Sequence, residues 1–169
     1  MLSEKFQKEL NDQIQRELYS SYLYLSMAAY AESINMGGAG RWLQLQAQEE
    51  VGHAMKMYAY VNDNGGRVKL QAIEEPPADF GSLLDIFKEV LEHEKKVTDF
   101  INKLYAMTKE DSDYRGEIFL QWFVTEQIEE EKTAQDIIDM LEMVGEKGQG
   151  LFMVDRQLGQ RTAGGGSGH

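Results

Sequence analysis

Cysteine is absent from the sequence, which excludes disulfides, thiol catalysis, iron–sulfur clusters and thiolate zinc sites. Any metal must be held by carboxylates, imidazole or carbonyl oxygens. Proline is scarce, with two in 169 residues, so little interrupts long helices. No apolar run approaches the ~20 residues that a membrane helix needs. The first residues, Met1-Leu2-Ser3-Glu4-Lys5, contain no apolar signal core, and the expectation is a cytoplasmic protein with no membrane partner. Positive charge is also short: 17 Lys and Arg face 29 Asp and Glu, for a net charge of −12. A surface of that sign repels nucleic acid and anionic lipid and attracts cations.

What the sequence does contain is helical periodicity in four long segments. Hydrophobic residues make up 42%, enough for one domain with a sizeable core. The first segment spans about Ser3 to Asn35 and is expected to stop at Gly37-Gly38-Ala39-Gly40, a run that few helices survive. The second spans about Arg41 to Asn64 and ends on Gly65-Gly66, a C-cap signal. The third starts at Ser82, with Asp85 placed as in a capping box, and reaches about Thr108. The fourth runs from near Ser112 to Gly145, and a short amphipathic stretch from Leu151 to Leu158 predicts a fifth helix.

The connections set the topology. The first and third are short, which makes helices one and two antiparallel, and likewise three and four. The second, Gly66 to Gly81, contains Pro76-Pro77. At ~3.3 Å per residue its roughly 16 residues reach ~50 Å, enough to return along a helix of about 25 residues, which is ~38 Å long. The expected fold is therefore all-α, a four-helix bundle with one long crossover and a short C-terminal helix. Val68, Leu70 and Ile73 are expected to pack the crossover onto the bundle. Residues 1–161 form the expected domain. Residues 162–169, Thr162-Ala163-Gly164-Gly165-Gly166-Ser167-Gly168-His169, have the composition of a flexible tail or expression scar, which removes His169 as a ligand candidate.

Each helix carries an inward stripe with alternating steps of three and four. They read Leu10, Ile14, Glu17, Ser21, Tyr24, Ala28; Leu43, Ala47, Glu50, Ala54, Met57, Val61, with His53 beside it; Phe87, Val90, Glu94, Val97, Ile101; and Leu120, Phe123, Gln127, Glu130, Ala134, Ile137. Each is apolar except near its middle. Midpoints of antiparallel helices meet at one height, so Glu17, Glu50, His53, Glu94, Gln127 and Glu130 should converge.

A lone mid-helix Glu in an acidic chain is ordinarily solvated, and Glu50-Val51-Gly52-His53 alone is a weak pattern. Interruption of all four seams at one level is a different matter. Buried unpaired carboxylates are costly and repel one another, and no Lys or Arg lies on these stripes near the cluster. Two divalent ions would cancel the charge of the four carboxylates, with neutral His53 as a nitrogen ligand. Oxygen-rich coordination with one nitrogen suits iron or manganese better than structural zinc or copper. The layout is similar to that of ferritin-like di-iron bundles.

Several stretches make the likeness specific: Glu17 with Tyr24, Gln48-Glu49-Glu50-Val51-Gly52-His53-Ala54, Glu94, Trp122-Phe123-Val124-Thr125-Glu126-Gln127-Ile128-Glu129-Glu130-Glu131, and the crossover's Gly65-Gly66-Arg67-Val68 and Glu74-Glu75-Pro76-Pro77. Together, over about residues 2 to 161, they closely resemble a prokaryotic non-haem ferritin. The resemblance implies that Glu17, Glu50 and His53 bind a first iron, with Glu50 bridging, and that Glu94 and Glu130 bind a second. It places Gln127 where it would orient the oxygen species, and Glu49, Glu126 and Glu129, with Glu130, at a third iron position. The spacing i, i+3, i+4 puts Glu126, Glu129 and Glu130 on one face. Tyr24 would hydrogen-bond near the site and supply an electron, with Trp122 a weaker candidate for that role. Helix four departs from bacterioferritins: Gln127-Ile128-Glu129-Glu130 replaces their second Glu-x-x-His. Val51 stands where they place the haem-ligating Met, so no haem is expected. The family's cage implies a homo-oligomer of roughly 24 subunits with closed symmetry and the fifth helix lining an inter-subunit channel.

The expected activity is that of a ferroxidase: Fe(II) is oxidised by dioxygen or hydrogen peroxide, each of two adjacent irons giving one electron, and the Fe(III) is stored as hydrated ferric oxide. Two alternatives stand beside it. One is a di-iron oxidase or peroxidase that stores nothing, which would want an apolar substrate pocket or a cysteine-rich electron-transfer domain. The other is a miniature DNA-protecting ferritin, whose site lies between subunits and which often has a basic tail.

Overall fold

The structure is a computed structural model and describes residues 2–164. Its elements in chain order are α1 (Glu4–Ser33), α2 (Gly37–Asp63), α3 (Leu83–Glu110), α4 (Tyr114–Val144) and α5 (Gln149–Leu158). No strand occurs among the described residues. None of the helices is long and apolar enough to cross a membrane. Residues 165–169, including His169, lie outside the described residues, while 162–164 are exposed.

The helix starts are written in local chemistry. Ser3 caps α1 by accepting from Phe6 N–H. Ser82 and Asp85 form a reciprocal capping box at α3, as the spacing predicts. Asp113 accepts from Gly116 N–H at the start of α4. At the other end of α2, Gly65 is left-handed at φ 75°, and Gly66 N–H bonds back to Val61 C=O at 2.9 Å.

One boundary differs from the sequence reading. α1 ends not on the glycine run but on left-handed Asn35, φ 62°, with Met36 N–H returning to Ala31 C=O. Gly37 to Gly40 then form the first turn of α2. The reason is tertiary. The Asp155 carboxylate of α5 accepts from Gly38 N–H at 3.2 Å and Ala39 N–H at 2.8 Å. A Cβ on Gly38 would lie 1.8 Å from the Asp155 carbonyl oxygen. Glycine serves close helix contact here, and the helix dipole gains an anionic partner.

Cross-helix contacts establish the directions. Tyr24 and Tyr30 of α1 reach Glu94 of α3 and Gly81 just before it, so α1 and α3 run antiparallel. Gln127 of α4 reaches Glu94, while Lys109 of α3 pairs with Glu117, so α3 and α4 are antiparallel as well. The loop after α2 returns to the start of α1, where Arg67 N–H donates to Gln7. The four long helices thus form a bundle in which α2 and α3 are parallel, with residues 64–82 as the crossover.

The crossover is held mainly by polar contacts. Asn11 donates to Arg67 C=O at 3.0 Å and accepts from Lys69 N–H at 2.9 Å, and Ser26 donates to Pro77 C=O at 2.5 Å. Val68 packs against the core. Leu70 and Ile73 do not, being 70% and 41% exposed. An extended segment lying on a helix has unpaired backbone groups to satisfy, and α1 side chains do this while residues 69–75 stay exposed.

The core has two blocks. One includes Tyr24, Met27, Leu43, Phe87 and Leu141. The other includes Leu10, Met57, Ile101, Leu120 and Phe123. Between them lies a buried polar belt.

Candidate metal centre

All four long helices contribute to the belt. Glu17, Glu50, His53, Glu94, Gln127 and Glu130 are each less than a tenth exposed. Their ligand atoms fall into groups within 4.8 Å of one another: Glu17, Glu50 and His53; Glu50, Glu94 and Glu130; and His53, Glu126 and Glu130. Glu50 belongs to the first two groups and therefore stands between them.

The electrostatics show what the cluster lacks. Glu17 Oε2 is buried with no hydrogen-bond partner, and His53 Nδ1 faces it at 3.6 Å and faces Glu50 Oε2 at 3.2 Å. Burial, then the charge of Glu94, pushes the Glu50 carboxyl well above its ordinary range. Burial raises Glu94 to about 7, although Tyr24 and Gln127 bond to its ionised form. Burial and the charge of Glu94 raise Glu130 to about 8. His53 rises to about 12: burial favours its neutral form, but Glu50 and Glu17 outweigh burial. Glu17 is lowered, because the attraction of the facing His53 outweighs burial. The belt therefore retains protons near neutrality. Bound cations would displace them, since metal ligands must be deprotonated.

Around this centre the structure supplies supports, of which Gln13 and Gln46 were missed by the sequence reading. The Tyr24 hydroxyl donates to Glu94. Gln127 Nε2 donates to Glu94 Oε2 at 3.1 Å and to the Glu94 carbonyl at 3.2 Å. Gln13, one turn before Glu17, donates to it at 2.9 Å. Gln46, one turn before Glu50, donates to Glu130 at 2.6 Å and to Glu50 at 3.3 Å. The Oε1 of each glutamine accepts from an arginine: Arg16 at 3.2 Å for Gln13, and Arg161 at 3.0 Å for Gln46. The signal was a Gln four residues before each Glu on an inward face. The stripes indeed lack Lys and Arg, but these two guanidinium groups reach the belt from outside them. His93 was also unmarked. It bonds Ser20 at 2.7 Å, and its ring lies edge-on to Tyr24.

The acidic set beside the centre is more dispersed. Glu49, Glu126, Glu129 and Glu130 line one cavity of about 530 Å³. Glu126 is buried and shares a ligand group with His53 and Glu130. Glu129 is exposed, and Glu49 pairs with Arg161 at 3.0 Å. Trp122 sets its ring edge-on to His53, with centroids 5.4 Å apart. Val51 lies on the outer side of α2, 41% exposed.

Known proteins resemble this chain along nearly its whole length. The ferritin-like domain family matches residues 7–144. The chain belongs to the ferritin family. It is 43% identical to a probable bacterial non-heme ferritin-like protein of Haemophilus influenzae, covering 94% of this chain and 96% of that one. It is 42% identical to a bacterial non-heme ferritin of Bacteroides fragilis, over 95% of this chain and 100% of the relative. Among solved structures, an open pore ferritin from Archaeoglobus fulgidus superposes with a TM-score of 0.94 at 47% identity, covering 96% of this chain and 99% of that one.

Proposed function

We propose that this ferritin takes up Fe(II), oxidises it at a two-iron position in the bundle, and stores the Fe(III) as hydrated ferric oxide inside a shell of about 24 copies. The observation that carries the proposal is the linked set of carboxylate and histidine groups in the polar belt, all from one chain, with Glu50 common to two of them.

In this reading Glu17, Glu50 and His53 hold one Fe(II), Glu94 and Glu130 hold the other, and Glu50 bridges. Two Fe(II) give one electron each to dioxygen, which with two protons leaves as hydrogen peroxide; with peroxide as oxidant, two electrons and two protons yield water. The chain supplies geometry and charge compensation. The Tyr24 and Gln127 bonds hold Glu94 in place, and the Gln127 amide is near enough to steer the oxidant. Tyr24 and, more weakly, Trp122 are placed to supply a further electron. The acidic surface favours Fe(II) entry. Glu49, Glu126, Glu129 and Glu130 would accept a third iron. Val51 offers no atom that could ligate haem.

Several features favour storage over the alternatives. The cavity beside the centre sets Glu49, Glu126, Glu129 and Asp136 among Trp42, Ile137 and Met140, and its carboxylates suit cations. Exposed apolar residues recur on α1 (Tyr22, Leu25) and on α2 (Val51, Met55, Tyr58), which suits burial between subunits. A DNA-protecting relative would share its centre between two chains.

The test is anaerobic loading with excess Fe(II), admission of air, and sizing of the product by sedimentation. A large shell holding far more iron than three per subunit is expected. A monomer or dimer, or uptake that stops at two or three iron per subunit, would rule out storage.

A further inference from the structure

We propose that Arg161 is a built-in counter-cation of the third metal position, occupying it until a metal ion displaces the guanidinium. The inference rests on the reading above, in which the acidic cavity beside the two-iron centre takes a third ion.

The observations concern a charge from far along the chain. Arg161 lies beyond the end of α5, yet its side chain is only 11% exposed. It lines the same cavity as Glu49, Glu126, Glu129 and Glu130. One nitrogen, Nη2, lies 3.0 Å from Glu49 Oε1. The other, Nη1, donates to Gln46 Oε1 at 3.0 Å and to Trp42 C=O at 3.3 Å. The guanidinium also covers the Trp42 ring, 4.5 Å from its centroid. A charge fixed by that many partners is held in place, not merely near an acidic patch.

Two consequences follow from the geometry. Glu49 cannot give the same carboxylate to a metal and to Arg161 at full strength, because two cations in contact with one carboxylate repel each other. Arg161 also anchors the amide of Gln46, which bonds Glu130 and Glu50. Filling the third position therefore frees the segment after α5 and loosens the support on two ligands of the neighbouring centre. The C-terminal segment is in this way tied to the occupancy of the metal sites.

The test is anaerobic calorimetric titration of the assembled protein with Co(II), which binds such ligands without reacting. The parent should take two ions tightly and a third more weakly. Arg161→Gln should tighten the third by roughly tenfold or more, as expected for removal of a competing charge at contact distance. The gain should vanish in Glu49→Gln/Arg161→Gln. A guanidinium that merely pins α5 would leave the third affinity unchanged in Arg161→Gln, or change it equally with Glu49→Gln present. Either result overturns the proposal. A parent that binds no ion at the first two positions removes the underlying reading and this inference with it. The unmodified protein gives an independent check by amide hydrogen exchange. Exchange in residues 159–164 should quicken on the third equivalent of Co(II) and not on the first two; exchange that never responds to the third counts against displacement.

Discussion

The Tyr24 hydroxyl of α1 hydrogen-bonds the Glu94 carboxylate of α3, and both side chains are almost wholly buried. The bond crosses the bundle at the polar belt. Burial, reinforced by the charges of Glu94 and Glu50, drives the Tyr24 hydroxyl well above its ordinary pKa. It therefore stays protonated and stays a donor. Tyr24→Phe keeps the packed ring and deletes that donor. Above pH 8, where Glu94 is ionised, loss of one hydrogen bond to a charged acceptor should lower metal-free stability by about 1.5–3 kcal/mol, measured by denaturant unfolding of matched samples. If Tyr24 also supplies an electron, freeze-quenched oxidation should lose its tyrosyl radical signal in the variant. A signal of unchanged size would assign the electron to another residue, with Trp122 next in line.

Glu50 belongs both to the group with Glu17 and His53 and to the group with Glu94 and Glu130. Glu50→Ala should therefore disable both metal positions at once, whereas Glu17→Ala should weaken mainly the first. The expected result for Glu50→Ala is loss of the fast phase of Fe(II) oxidation in stopped flow, with slow mineral growth remaining. Unchanged initial rates would exclude the assigned centre.

The pH dependence of the metal-free protein has a definite sign. Glu94 and Glu130 are raised from the ordinary 4.5 to about 7 and about 8. Their contribution is fully present below 4.5 and is lost as pH rises through those raised values. His53 is raised from 6.5 to about 12, so its contribution also declines above 6.5. Glu17 is shifted the other way and matters only below its ordinary 4.5. Metal-free stability should thus fall between pH 5 and pH 8, with His93, lowered by burial to about 4, opposing but not reversing the trend below 6.5. Divalent ions require the deprotonated ligands, so stabilisation by Co(II) should grow over the same interval. Thermal unfolding at pH 5.5 and 8, with and without Co(II), measures both trends. A stabilisation by Co(II) that does not depend on pH would contradict the protonation scheme.

The centre was legible in the sequence because a polar residue in an apolar seam is expensive, and the four interruptions had a shared level. Glu17, Glu50, Glu94 and Glu130 needed only helix periodicity and the midpoint argument. Arg161 was not legible by that route. It follows α5 and reaches Gln46 and Glu49 through tertiary folding, which periodicity does not encode. The glycine run before Arg41 misled for a related reason. Helix propensity reads Gly37 to Gly40 as a break, while the structure uses the missing side chain of Gly38 to seat α5. Leu70 and Ile73 show the converse: apolar residues in an extended crossover need not face inward when side chains of α1 satisfy its backbone.

The seating of α5 gives a paired prediction from two glycines of the same helix. A Cβ on Gly38 would meet backbone, the Asp155 carbonyl oxygen, at 1.8 Å. Backbone cannot rotate away as a side chain can, so Gly38→Ala must push α5 off or unwind the first turn of α2. Either movement also strains the bonds from Gly38 and Ala39 N–H to Asp155. A Cβ on Gly52 would meet nothing within 4 Å, and Gly52 is an exposed mid-helix residue. Gly52→Ala should stabilise the subunit by about 0.5–1 kcal/mol through reduced unfolded-state freedom. Gly38→Ala should instead make the segment from Gln149 onward sensitive to limited proteolysis, while the four long helices keep their hydrogen-exchange protection. Equal protease resistance of parent and Gly38→Ala would mean that α5 is not held by this contact.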